Sequence, residues 1–431
     1  MPADHDMMLI RGRFCSLAAY RRRRRQALRL LREHFQAEWP VLLVGYRLRD
    51  EFEVPSPLVG RMRQDPWFDY YTGCHEAGAA LLLQPGARMV ETLFLDPGDP
   101  DRVFWEGERL PPGPAARRAF GVQAVASAAE LRAQVVDAAE IAGGNLIMLS
   151  RKREPGLQAR AYKSWQARLR GCRVHNGEPV LVRQRMIKDA EEIAWHRKAV
   201  ARTWAGLRQV LPQLSGMRNE AQVAGALTQH YIGDGFESLA FSTIVAGGRN
   251  AATLHYAHND QPFSAKAGVL IDSGARAGGY CADVTRTLPK HGRFDQKRFR
   301  ELYQLVLQAN QLARQQLRPG MTLKELNELA WQPIIDAGFD RRHGLSHHIG
   351  LDVHDPADYQ QPLAPGMIIS NEPGIYLPEE GIGIRIEDDL LISQRGCQEL
   401  TSQIPKEIAA LEALLGRAAQ SSEVGRRSLL Q

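Results

Sequence analysis

A chain of 431 residues exceeds one ordinary core, so two domains are expected, and 44% hydrophobic with 24% charged residues is a globular composition. No run approaches the roughly 20 apolar residues of a membrane-spanning helix, so no membrane partner is expected. The net charge of +6 raises nucleic acid, but the densest basic run, Arg21–Arg25 in YRRRRRQALRLLREHF, has no aromatic-studded groove beside it.

That run reads as the solvated start of an amphipathic helix with Leu28, Leu30 and Leu31 facing inward, and no nucleic-acid partner follows. The N-terminal stretch MPADHDMMLIRGRF has neither the charge order nor the cleavage site of a signal peptide. Cysteines at 15, 74, 172, 281 and 397 fit neither a disulfide framework nor a CxxC zinc site, and reduced thiols in a cytoplasmic protein are expected.

Apolar runs at 40–46, 77–83, 89–95 and 145–150 read as buried strands, with a helix over 128–143 between two of them. The alternation predicts a smaller α/β domain over residues 1–179. Its pair His75–Glu76 reads as structural rather than as a metal site. From residue 180 the pattern changes. Asp189 is placed to cap a long amphipathic helix, and further helices at 219–233, 295–317 and 322–337 interleave with strand-like runs at 241–246, 268–274, 280–287, 366–376 and 383–393. Two helix pairs on a curved antiparallel sheet, an α+β domain over 180–415, is the expectation, with a frayed tail at 416–431.

Chemistry-bearing residues concentrate in this second part. In VLIDSGARAGGYCADVTRTLP, Asp272 and Asp283 flank a Gly-rich turn that folds two strands into a hairpin and brings the carboxylates to one face. In SNEPGIYLPEEGIGIRIEDDLLI, Glu372 and Glu387 sit beside apolar neighbours, again on two returning strands. Close buried anions are costly unless a cation neutralises them. HGLSHHIGLDVHD adds His343, His347, His348 and His354, and LHYAHND adds His255. Four carboxylates with one imidazole form an oxygen-rich set suited to two divalent metal ions, Mn²⁺ foremost with Co²⁺ or Zn²⁺ as alternatives. Such a pair holds a hydroxide at neutral pH and polarises a carbonyl, so metal-assisted hydrolysis is the expected reaction class.

In order and residue type, LIDSG, CADVTRT, HGLSHHIGLDVHD, NEPGIY and IRIEDD resemble the pita-bread metallopeptidases of the Xaa-Pro branch, the aminopeptidase P and prolidase family. RRRRRQAL and DPWFDYYTGCHEAGAALLL resemble the extra N-terminal domain of aminopeptidase P. The resemblance implies that Asp272 chelates one metal, that Asp283 and Glu387 bridge both, and that His347 and Glu372 bind the second. Glu372 would also shuttle the proton. It further implies that His255 and His354 contact substrate and stabilise the tetrahedral charge, that His343 lines the proline-side pocket, and that Arg385 orients a ligand carboxylate.

The implied substrate is a proline-containing peptide, and a homo-oligomer, dimer or tetramer, is implied too. His348 stands where many relatives carry an aromatic residue, and DPADYQQPLAPGM lacks the arginine that holds a dipeptide carboxylate in prolidases, with Tyr359 as its nearest stand-in. An X-Pro dipeptidase is therefore the alternative. The complete metal set disfavours both a creatinase-like hydrolase and a non-catalytic interaction protein.

Overall fold

The computed structural model describes residues 14–46, 64–99, 101, 104–105, 108–149, 157–169, 171–232 and 238–416. The expected frayed tail therefore lies outside the described residues except for Gly416. Contacts divide the chain into two compact units, Met1–Gln184 and Arg185–Gln431.

The first unit is built on a mixed sheet of strands β1 (Val41–Val44), β2 (Ala80–Gln84), β3 (Val90–Leu95), β4 (Ala124–Ser127), β5 (Asn145–Met148) and β6 (Arg173–Asn176), in the order β4-β3-β2-β1-β5-β6. The β1–β2 and β2–β3 pairs are antiparallel, and the outer pairs are parallel. Leu42, Leu82, Phe94, Val135, Leu146 and Met148 form its core. Helix α1 (Leu17–Phe35) starts at Ser16, whose hydroxyl accepts the Ala19 N–H. A short helix α2 (Pro66–Thr72) has Asp65 as its cap, Pro66 in its first turn and Gly73 at its end with φ 59°.

The basic run departs from the expectation of a solvated face. Arg23 and Arg24 are buried, while Arg21, Arg22 and Arg25 are exposed, and of the three leucines only Leu31 is fully buried. Arg24 grips Glu91 with two bonds, Nε to Oε1 at 2.8 Å and Nη2 to Oε2 at 3.1 Å, and also donates to the carbonyls of Tyr71 and Gly121. Arg23 lies over the Tyr70 ring, 4.4 Å from its centroid. His75 sits 3.2 Å from Asp69 and edge-on to Phe14.

The second unit pairs helices α4 (Ala190–Val210) with α5 (Glu220–Tyr231), and α6 (Lys297–Gln316) with α7 (Leu323–Asp336), while α3 (Leu131–Ile141) belongs to the first unit. Asp189 caps α4 in a reciprocal box with Glu192, and Thr322 does so for α7 with Glu325. Strand pairing among the described residues of this unit is antiparallel throughout. It runs β8 (Ile244–Gly247) to β9 (Gly268–Ser273) to β12 (Val284–Pro289), and β7 (Ser238–Leu239) to β10 (Ala275–Ala277) to β11 (Tyr280–Cys281). It continues with β13 (Ile368–Asn371) to β16 (Asp388–Ile392) to β17 (Cys397–Glu399), and β14 (Gly374–Leu377) to β15 (Ile382–Arg385).

Three of the expected strands, 280–287, 366–376 and 383–393, are each divided in two, and 268–274 ends at Gly274. Pro373, which has no N–H to give a ladder, separates β13 from β14. At Gly274, between β9 and β10, a Cβ would stand 1.8 Å from the Ala282 carbonyl oxygen, so only glycine allows that close approach. Gly278 and Gly279, both at positive φ, close the β10–β11 turn. No described helix is long and apolar enough to cross a membrane.

Candidate metal centre

The antiparallel β9–β12 ladder sets Asp272 opposite Thr285, and Asp283 immediately precedes β12. Glu372 and Pro373 join β13 to β14, and Glu387 lies between β15 and β16. The two hairpins are joined at this point: Thr285 Oγ1 donates to Glu387 Oε2 at 2.7 Å, and the Glu387 N–H donates to the Thr285 carbonyl at 3.1 Å. His347 comes in on an extended segment beside β13, since its N–H donates to Ser370 Oγ and its carbonyl accepts the Ser370 N–H. The Ser370 hydroxyl then donates to Glu372 Oε1 at 3.1 Å.

Ligand atoms of Asp283, His347 and Glu387 all lie within 4.8 Å of one another, and the three residues are buried. Nε2 of His347 faces Asp283 Oδ2 and Glu372 Oε1, each at 3.4 Å. Its Nδ1 lies 3.2 Å from the His348 carbonyl, which can only accept, so Nδ1 carries the proton and Nε2 presents a lone pair. One nitrogen lone pair and several carboxylate oxygens thus converge on a common space. Burial first, and then mutual repulsion among Asp272, Asp283 and Glu372, push Glu387 well above the usual carboxylate range; Asp283 is raised by burial and by Asp272, Asp389 and Glu372. Glu372 is raised chiefly by burial. The buried Oδ1 of Asp272 has no hydrogen-bond partner among the described residues. Four carboxylates and a nitrogen lone pair outnumber the donors that reach them, which fits a divalent cation that would supply the positive charge these groups share.

Arg385 is the buried cation already present. It donates from Nη2 to Asp272 at 2.6 Å, from Nε to Thr285 Oγ1 at 3.1 Å and from Nη1 to the Tyr376 hydroxyl at 3.1 Å. Tyr376 lies 2.9 Å from His343 Nε2, and His343 Nδ1 donates to the Gly344 carbonyl at 2.8 Å. The chain of donors fixes a neutral His343, whose pKa burial pulls down to about 4. His343 also stands edge-on to Trp331.

The His354 ring lies 4.0 Å from that of His347, and its pKa is lowered by desolvation, then by charge on His347 and His255. His255 is exposed on the loop after β8, near enough for its charge to act on both His343 and His354. Asp272, Asp283, His343, His347, His354, Glu372, Arg385 and Glu387 are thus linked by direct or one-residue contacts, and His255 acts on two of them through its charge. His348 does not join them as a donor: it is buried, its Nδ1 has no hydrogen-bond partner among the described residues, and Tyr359 packs edge-on against it.

Several partners were not read from the sequence. Thr285 and Thr287 alternate with Asp283 on one face, a period-two signal that was available in DVTRT, and Thr287 Oγ1 donates to the Arg385 carbonyl. Tyr376 lay within NEPGIY without a role. Behind Asp283, Asp389 Oδ2 lies 3.3 Å from the Asp283 N–H and 2.9 Å from His196 Nε2. Asp388 is held low against its burial by Arg286 and Lys406.

Known proteins resemble the chain along most of its length. The profile of metallopeptidase family M24 matches residues 194–394, and that of the aminopeptidase P N-terminal domain matches residues 59–146. The chain is 33% identical over 386 residues to an Xaa-Pro aminopeptidase of Haemophilus influenzae, covering 82% of this chain and 88% of the relative. It is 31% identical to the mitochondrial intermediate cleaving peptidase 55 of Arabidopsis thaliana, covering 82% of this chain and 75% of the relative. A variant of Escherichia coli aminopeptidase P solved in complex with substrate superposes with a TM-score of 0.82 at 28% identity, covering 94% of this chain and 99% of that one.

Proposed function

The chain belongs to metallopeptidase family M24, in its Xaa-Pro aminopeptidase branch, and on that premise we propose that it hydrolyses the X-Pro bond, releasing the N-terminal residue of proline-containing peptides. The observation that carries the proposal is the convergence of four carboxylates and one imidazole lone pair where two hairpins meet. We assign this chemistry to residues 180–415.

In this reading Asp272, Asp283, His347, Glu372 and Glu387 hold two divalent ions, with Mn²⁺ favoured by the oxygen-rich donors. When bound, such ions polarise a carbonyl and make water nucleophilic at neutral pH. The protein's own groups do the rest. Glu372 commits Oε1 to Ser370, which leaves Oε2 to take up and pass on a proton, and burial raises its affinity for that proton. Arg385 directs the Asp272 carboxylate through its bond from Nη2. His354 and His255 present their rings from the open side, where they donate to the charge that develops on the scissile carbonyl oxygen. His343, held neutral by Tyr376, lines the pocket for the proline side.

Five free cysteines support a reducing compartment, and the cytoplasm is the one proposed. The homo-oligomer belongs to the same proposal, and sedimentation velocity checks it. The deciding assay compares Ala-Pro with Ala-Pro-Pro-Ala on Mn²⁺-supplemented protein, with chelator-stripped protein as control. Metal-dependent release of alanine from the tetrapeptide supports aminopeptidase chemistry. Cleavage of the dipeptide alone moves the protein to the dipeptidases.

A further inference from the structure

Outside the donor set, one buried carboxylate has an unusual set of partners. Glu220, the first residue of α5, is 1% exposed and has no cationic partner among the described ion pairs. Four donors satisfy it. Oε1 accepts the Gly247 N–H at 2.9 Å and Asn250 Nδ2 at 3.0 Å, while Oε2 accepts the Tyr256 hydroxyl at 2.8 Å and the Gln261 N–H at 3.0 Å. All four donors belong to one stretch, residues 247–261, and they include both of its ends. The Glu220 N–H completes the closure by donating to the Gln261 carbonyl at 3.1 Å.

The stretch is the loop that carries His255. Tyr256, the next residue, is turned inward into a small core with Ile244, Ala246, Ala251 and Leu270, and its hydroxyl ends on Glu220. His255 is therefore presented on the opposite, exposed side. A second contact fixes the far arm: Asn259, at φ 52°, accepts the Val245 N–H and donates to the Thr243 carbonyl, both at 2.7 Å. The floor of the loop presses on β15, where a Cβ on Gly383 would meet the Ala251 carbonyl oxygen at 1.9 Å, two residues before Arg385. The loop is thus built against the strand that leads into the centre, and one carboxylate ties its two arms together.

We propose that Glu220 is a positioning residue for the reaction: its carboxylate clasps the 247–261 loop and thereby fixes where the His255 ring stands relative to the carboxylate centre. The inference rests on His255 acting in the proposed peptidase reaction. Loop rigidity matters here because a ring displaced by about 1 Å from its working position costs up to about a hundredfold in rate. The donor pattern also makes glutamine a poor substitute: it keeps one acceptor oxygen, but its amide nitrogen faces a backbone N–H, of Gly247 or Gln261, that can only donate.

The test is a double-mutant cycle on the Mn²⁺-loaded full chain with Ala-Pro-Pro-Ala, reading kcat, KM and bound metal. Glu220→Gln is expected to lower kcat about tenfold to a hundredfold, with KM changed less than about threefold and metal content unaltered. In a His255→Ala background the same substitution is expected to cost less than about twofold, because the ring it positions is gone. Tyr256→Phe removes a single clasp bond with little risk to folding, and should show a smaller loss with the same dependence on His255. Equal losses in both backgrounds, or a metal content that falls with Glu220→Gln, would overturn the proposal by showing that the carboxylate acts on the fold or the donors instead. A His255→Ala protein with undiminished kcat would overturn it through the role of His255, while the parent's own turnover separately reports on the peptidase reading.

Discussion

Nη2 of Arg385 reaches Oδ2 of Asp272 at 2.6 Å, whereas its Nε stands 4.0 Å from Oε2 of Glu387. One guanidinium thus serves one carboxylate tightly and leaves the other to Thr285. Removing a partner from a buried pair of this kind costs about 3–5 kcal/mol. Arg385→Met is expected to lower the melting temperature of chelator-treated protein sharply, and of metal-loaded protein less. Arg385→Lys keeps the charge but not the planar fork, and should lose most turnover while retaining fold by circular dichroism.

Asp283 and Glu372 both face His347 Nε2. Asp283→Ala or Glu372→Ala is expected to abolish turnover and to lower bound metal, as measured by elemental analysis of dialysed protein. Metal retained at the parent stoichiometry in Asp283→Ala would contradict its assignment. Chelation of the parent should lower its thermal stability, by about 2.7 kcal/mol where free ion had stood at a hundred times its dissociation constant.

The His354 ring lies 4.0 Å from that of His347, tilted by 38°, and the residue is exposed. If its contact strengthens as charge develops, His354→Ala lowers kcat by about ten- to a thousandfold with little change in KM. A near-normal kcat would refute the role.

In the first unit, Arg24 and Arg22 are near neighbours in one run, yet only Arg24 is buried. Arg24→Met should destabilise that unit by about 3–5 kcal/mol, since Glu91 would remain buried without its partner. The exposed substitution Arg22→Ala should stay within about 0.5 kcal/mol. Denaturant melts of the two variants make the comparison.

The catalytic half was the more legible part of the sequence because its signals are local. Glycines and prolines bracket the strands, and each carboxylate pair lies within one hairpin, so spacing alone placed Asp272 near Asp283 and Glu372 near Glu387. What spacing does not carry is which hairpin meets which. The Thr285–Glu387 bond spans 102 positions, and nothing within either segment announces it. A run of five identical arginines likewise offers no compositional face, so the burial of Arg23 and Arg24 depends on Glu91 and Tyr70, which stand far along the chain. Glu220 was hidden for a different reason. An acid in the first turn of a helix already satisfies the helix dipole, and its second use depends on a loop folding back over it.

The joining of two distant hairpins has a consequence for biosynthesis. A ribosome delivers Asp272, Asp283 and Arg286 about a hundred codons before Glu387, and Arg286 donates to the Glu387 carbonyl across 101 positions. Closing so long a segment is slow relative to forming either hairpin. Glu387 is the last of the five donors to be synthesised, so the set stays incomplete, and its two hairpins unjoined, until β15 and β16 have left the exit tunnel. Completion of the donor set is in this sense a terminal event, and a chain whose translation stops short of residue 387 lacks the carboxylate that Thr285 anchors.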